Sequence, residues 1–259
     1  MKILSIDLDY IMDKSIELYE DIGWHDIPSI RWSNYYNHIK KEKNNIDLNI
    51  NEKNLFYCFD IFLKSIKNCQ NVTFSFNHDA ILDEISKYSS IDLINIDHHD
   101  DVIYGDNLDP DDPNYSIKCM MNLYEKYDSI SKINDLHEGN WISFLNINKQ
   151  INSYTFIGNK SSMDFGKEKE DFIKKHIPKF EYYTRDRYTF KSYNFDYIFV
   201  CLSPQYIPPC HWHYFSMFLS AYKSITGKSY EIDEMAIRKF STNYHYADVM
   251  EKIITEFEA

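Results

Sequence analysis

The sequence predicts an α/β fold, a three-layer α/β/α arrangement built on a mainly parallel sheet. Three observations point to it: short apolar runs of strand length recur, stretches of helical periodicity separate them, and the runs end in polar, potentially reactive side chains. Strands that alternate with helices imply parallel βαβ units and a sheet covered on both faces. With 259 residues and 44% hydrophobic content the chain can bury a substantial core, and we read 1–259 as a single domain.

The elements follow in order. "KILSIDLDY" (2–10) reads as the first buried strand, with Asp7 and Asp9 on one face at its end by period-two alternation. "EKNLFYCFDIFLKSIKN" (52–68) carries Leu55, Phe56, Phe59, Phe62, Leu63 and Ile66 as one helical stripe. "NVTFSFNHD" (71–79) is a second strand ending in His78, and "HDAILDEISKYSS" a short amphipathic helix. "IDLINIDHHDD" (91–101) is a third strand, on which Asp97, His99 and Asp101 share one face while His98 and Asp100 take the other. "YGDNLDPDDPNYS" (104–116) is an acidic turn-rich loop; it lacks the spacing and glycine of an EF-hand, so a solvated turn is expected. The charged stretch 166–192 is expected to be an insertion covering one sheet edge. "FDYIFVCLSP" (195–204) is a fourth strand, followed by a helical "HWHYFSMFLSAYKSITG" that stops at Gly227. Two further helices are expected in the tail.

Composition removes several function classes. A net charge of −12 and a pI near 5.2 leave no basic stripe for nucleic acid. No stretch approaches the ~20 apolar residues of a membrane span, and "MKILSIDLDYIMD" is interrupted by Asp7 and Asp9, unlike a signal peptide. Cys58, Cys69, Cys119, Cys201 and Cys210 are an odd, scattered set without a CxxC pair, which reads as reduced thiols in a cytoplasmic protein.

In an open α/β sheet, ligands sit outside the carboxyl ends of the strands, and that is where the polar residues stand. If the first three strand ends are neighbours, Asp7, Asp9, His78, Asp97, His99 and Asp101 converge as four carboxylates and two imidazoles. A mixed Asp/His set without thiolates suits Mn²⁺, Fe²⁺ or Zn²⁺ rather than a structural zinc. Four carboxylates over-neutralise one divalent ion but balance two. Taken singly the motifs are weak, since an isolated DxD is often a helix cap and an isolated histidine is often a satisfied one. Their combination is specific. His211 and His213 flank Trp212, but on a helix i, i+2 spacing points them apart, so a structural or pocket-rim role is expected. Cys201 reads as a core residue, and Cys210 is left without a role.

These motifs resemble those of the ureohydrolase (arginase and agmatinase) superfamily, namely a His, then DxHxD, then SxDxD. Here they stand as His78, Asp97-His98-His99-Asp100-Asp101 and Ser5-Ile6-Asp7-Leu8-Asp9, with SxDxD opening the chain instead of following DxHxD. The altered order resembles a divergent, rearranged branch that includes the peptide arginases of ribosomal-peptide biosynthesis, to which "HEGNWISF" (137–144) and "VCLSPQYIPPCHW" (200–212) are also similar. The resemblance covers most of residues 1 to about 215, though the metal motifs carry nearly all its specificity. It implies an arginase/deacetylase-like fold, two Mn²⁺ ions, and hydrolysis of arginine side chains in a precursor peptide to ornithine and urea. By position it makes His137 the candidate proton donor to the leaving amine and Glu138 a candidate for holding the guanidinium. The same site would also serve a hydrolase of a free guanidino compound or acylated amine, or a non-catalytic metal-binding protein.

Overall fold

β1 (Lys2–Asp7) lies at the centre of the sheet, and burial of five of its six residues explains its unbroken apolar character. The fold is seen in a computed structural model that describes residues 1–12, 32, 50–102, 139–159, 167–208, 211–228 and 230. The remaining elements are α1 (Glu52–Ile66), β2 (Val72–Ser75), α2 (Leu82–Ile85), β3 (Ile91–Asp97), α3 (Trp141–Ile147), β4 (Ile151–Gly158), α4 (Lys167–His176), β5 (Phe180–Thr184), β6 (Tyr197–Cys201) and α5 (His213–Thr226). All six strands run parallel in the order β2-β6-β1-β3-β4-β5.

Strand alternation splits the core in two. Leu4, Ile6, Ile94, Ile96, Ile198 and Val200 face Leu55, Phe62 and Ile66 of α1 and Phe215 and Phe218 of α5. Ile3, Leu93, Tyr154, Phe156 and Phe199 face the other way, against Ile85 of α2, Trp141 and Leu145 of α3 and Ile173 of α4. Helices therefore cover both faces, as the sequence pattern predicts. Parallel crossovers share one hand, so a connection running leftward along the sheet packs on the opposite face from one running rightward. The chain from β1 to β2 runs one way through α1, and the chains from β3 to β4 and β4 to β5 run the other way through α3 and α4. Between β1 and β3 the direction of winding reverses.

Several expectations need correction. The helix 52–66 buries Leu55, Cys58, Ile61, Phe62 and Ile66, while Phe56 is 66% exposed. At 100° per residue, Phe56 falls outside the arc that Leu55, Phe62 and Ile66 define. The segment 151–158 is a full strand, β4, where no strand was expected, and stretch 166–192 supplies a helix and the edge strand β5 rather than a covering insertion. A bulge between Ile91/Asp92 and Ile151/Ser153 interrupts the β4 pattern at its start, so Asn152 and Ser153 both reach Asp92 Oδ1, each at 2.6 Å. Strands also end earlier than expected: β1 at Asp7, β2 at Ser75 and β3 at Asp97. Asn51 Oδ1 caps α1 by accepting from Asn54 N–H, and Gly227 at φ 71 closes α5 in the left-handed conformation. The loop 104–116 and the tail lie outside the described residues.

Candidate metal centre

The carboxyl ends of β1 and β3, adjacent in the sheet, open at the point where the winding reverses, and connections leaving them part toward opposite faces. β6, on the other side of β1, and β2 beyond it add their own ends. Here the six predicted residues meet. Asp7, the last residue of β1, is the only ligand besides Asp97 that a strand itself presents. Asp9 sits in the 3₁₀ turn Leu8–Ile11 and His78 opens the 3₁₀ turn His78–Ile81. His99 and Asp101 follow β3 in an irregular segment, where Asp101 takes φ 52. Turns rather than continued alternation bring these residues inward, which corrects the strand-face argument and leaves its residue set intact.

His78 Nδ1 is the focus of one half. Asp101 Oδ2 lies 3.0 Å from it, Asp97 Oδ2 3.1 Å and Asp7 Oδ2 3.2 Å. One N–H cannot satisfy three carboxylate oxygens, so the arrangement asks for a larger positive charge at their centre. Ligand atoms bound at ~2.0–2.2 Å and at right angles around one ion lie ~3 Å apart, which matches these separations. The imidazole stands between Phe199, stacked at 5.8 Å, and Trp141 at 5.0 Å. Its Nε2 lies 2.7 Å from Ser5 Oγ, a partner that fixes the ring with Nδ1 toward the carboxylates.

The second half is built on His99 Nδ1, 2.8 Å from Asp9 Oδ2 and 3.9 Å from Asp97 Oδ1. Asp7, His78 and Asp97 form one group whose donor atoms lie within 4.8 Å of one another, and Asp9, Asp97 and His99 form another. Asp97 belongs to both, one oxygen aimed at each half. No protein-family model, curated protein or solved structure matches this chain. The centre stands on its own geometry.

That geometry is electrostatically costly without a cation. Asp7, Asp9, Asp97 and Asp101 are all buried, and among the described residues their only ion-pair partners are His78 and His99. Burial pushes Asp9 well above the ordinary carboxylate range, and the charges of Asp7 and Asp97 push it further. Burial and the Asp97 charge raise Asp101 in the same way. For Asp97 burial acts upward too, but its bond to His78 and the charges of His78 and His99 outweigh it and hold the carboxyl low. Burial alone would depress His78, yet Asp101, Asp7 and Asp97 together hold it well above the usual histidine value. These buried Asp and His groups, crowded as they are, form a site able to hold a metal ion.

Neutral donors orient the carboxylates. Trp141 Nε1 donates to Asp101 Oδ2 at 2.6 Å, Asn95 Nδ2 to Asp97 Oδ2 at 3.1 Å, and Ser203 Oγ to Asp7 Oδ2 at 2.5 Å. Backbone N–H groups of Asp9, His98 and His99 donate to Asp7 Oδ1, Asp9 Oδ1 and Asp97 Oδ1. His98 is buried with Nδ1 2.9 Å from Asn159 Nδ2, and Asp100 Oδ1 accepts from Val102 N–H, so both serve the surrounding structure. Of the six ligands only His99 is partly open, its side chain 20% exposed beside the Tyr206 ring at 4.7 Å. His137 and Glu138 lie outside the described residues. His211 and His213 both pack on Tyr214 and join no metal-capable group among the described residues. Cys201 is buried as expected, and Cys210 is outside the described residues. Sequence reasoning gave no role to Asn95, Trp141 or Ser203.

Proposed function

We propose that this protein is a dinuclear, manganese-dependent hydrolase that converts peptidyl arginine to ornithine with release of urea, maturing a ribosomally made precursor peptide. The observation that carries the reading is Asp97, whose Oδ2 addresses His78 at 3.1 Å while its Oδ1 lies on the His99 side. A carboxylate so placed suits a bridge between two ions. Asp7, His78, Asp97 and Asp101 would hold one ion, and Asp9, Asp97 and His99 the other. Two ions held there would supply Lewis acidity and lower the pKa of water in the site.

The chain's own groups do the rest. Trp141, Asn95 and Ser203 keep the carboxylates oriented, and burial of all but His99 excludes bulk water and leaves the His99 edge for substrate. Oxygen from water is added to the guanidinium carbon, the bond to the side-chain nitrogen breaks, and that nitrogen leaves as the ornithine amine with a proton. His137 is the proposed donor of that proton and Glu138 the proposed holder of the guanidinium.

The test joins metal content to product. The manganese-loaded protein should carry two ions per chain and release urea from an arginine-containing peptide, with the peptide losing urea minus water per residue converted. One ion per chain would favour a single-metal amidohydrolase instead. Urea release and bound metal that both survive Asp97→Ala would sink the reading.

A further inference from the structure

Beyond the six ligands, one residue contacts the centre in a conformation that its own sequence disfavours. Ser203 follows β6, at φ 47, a left-handed backbone that a non-glycine residue adopts only against steric opposition from its Cβ. It also precedes Pro204, which biases the preceding residue toward extended conformations. The surroundings hold it there. Leu202 N–H donates to Ser75 O, Tyr206 N–H and Ile207 N–H both donate to Ser203 O, and Trp32 Nε1 donates to Pro204 O at 2.7 Å. The result is a buried hydroxyl whose short bond reaches Asp7 Oδ2, the oxygen that also faces His78. Cys201 Sγ lies 3.3 Å from the same hydroxyl, but a carboxylate oxygen is a stronger acceptor than a thiol sulfur, so the hydroxyl donates its hydrogen bond to Asp7.

We propose that Ser203 is a positioning residue whose hydroxyl, set by the strained turn after β6, fixes Asp7 as a ligand of the His78 half of the centre. This rests on the reading of that centre as a metal site. Asp7 ends β1 with Oδ1 held by Asp9 N–H and Oδ2 held toward His78 by the Ser203 hydroxyl, the side-chain donor on that oxygen besides His78. The strain is then explained, because a relaxed backbone at 203 would carry the hydroxyl away from Asp7.

The experiment compares Ser203→Ala and Ser203→Gly. Both remove the hydroxyl, and only glycine also relieves the backbone, so either variant can decide if the other fails to fold. The readout is Mn²⁺ affinity and stoichiometry by competition titration, with circular dichroism to verify the fold. Both variants should bind ion roughly ten- to a hundredfold more weakly than the parent, as expected for loss of a partner behind a ligand. Wild-type affinity in either folded variant overturns the proposal. A parent protein that binds no divalent ion would instead defeat the metal reading itself.

Discussion

The two ends of the sheet handle carboxylates in opposite ways: at the amino ends Asp92 is half-buried and Asp196 exposed, whereas at the carboxyl ends Asp7, Asp9, Asp97 and Asp101 are buried. At the amino ends each carboxylate rests on neutral donors: Asp92 accepts from Asn152 and Ser153, and Asp196 from Lys2 N–H. Those bonds, the Ser153 hydroxyl foremost, hold the Asp92 carboxyl below its ordinary value. At the carboxyl ends four carboxylates crowd two imidazoles, and two of those carboxyls are forced upward. Left-handed non-glycine residues divide the same way. Lys149 and Lys179 occupy exposed turns leading into β4 and β5, whereas Asp101 and Ser203 are buried at the centre. The amino end carries its strain in exposed turns, and the carboxyl end gathers both buried charge and left-handed backbone around groups able to hold a metal ion.

The sharpest way to break this contrast is at Asp97. Asp97→Ala should remove bound metal from both halves, a fall in affinity beyond the ~10–100-fold that a supporting residue costs, measured as metal per chain after dialysis. If one ion stayed, Asp97 would not be shared between halves. Chelation comes next in size. An ion at 100 times its Kd stabilises the folded state by about 2.7 kcal/mol, or roughly 5–10 °C in Tm for a chain of this length. Stripping the metal should lower Tm by that amount and readdition should restore it. An unchanged Tm would show that the carboxyl ends are not paying a charge penalty.

The convergence of the six candidate residues was legible in the sequence because their chemistry is written in residue type and their position at strand ends needs only an apolar run before them. Their supporting partners were not. Ser203 bonds Asp7 only because β6 inserts between β2 and β1, and no periodicity specifies strand order. Trp141 reads as an ordinary core aromatic until α3 brings its indole N–H to Asp101. β4 escaped notice because Asn152 and Ser153, displaced by a bulge, break the apolar pattern at its start. β5 did so because an edge strand such as "FEYYT" keeps only Phe180 buried. The strand-end alternation argument chose residues that do converge, for a reason that holds only as far as Asp97.

Acidity gives a prediction with a definite sign. Asp9 and Asp101, ordinarily near 3.8, and His78, ordinarily near 6.5, all bind protons more tightly in the folded chain. The ion-free folded state therefore holds more protons than the unfolded one, and its stability falls as pH rises. The His78 contribution is complete below its unfolded value and is lost as pH climbs through the raised folded one. Asp97 acts in the other direction, since its lowered value gives stability that is present above 3.8 and lost only in stronger acid. Between about pH 5 and 8 the ion-free protein should lose Tm, while added Mn²⁺ should reverse the slope by displacing those protons. Calorimetry across that range reads both slopes, and an ion-free protein that gains stability with pH would contradict the charge assignment.

The smallest effect lies at the quiet end of the sheet. Lys149 is exposed, adopts φ 57, and links α3 to β4 through its N–H to Asn146 O. Its side chain has no part in the centre, so the left-handed backbone there is a cost of the turn and nothing else. Lys149→Gly removes the Cβ that opposes this conformation, and should raise stability by about 0.5–1 kcal/mol in urea unfolding. Mn²⁺ affinity should stay at the parent value. Ser203→Gly relieves the same kind of strain at the opposite end of the sheet and should cost affinity instead. If the two glycine substitutions behaved alike in both measurements, the strain at Ser203 would be no more functional than the strain at Lys149.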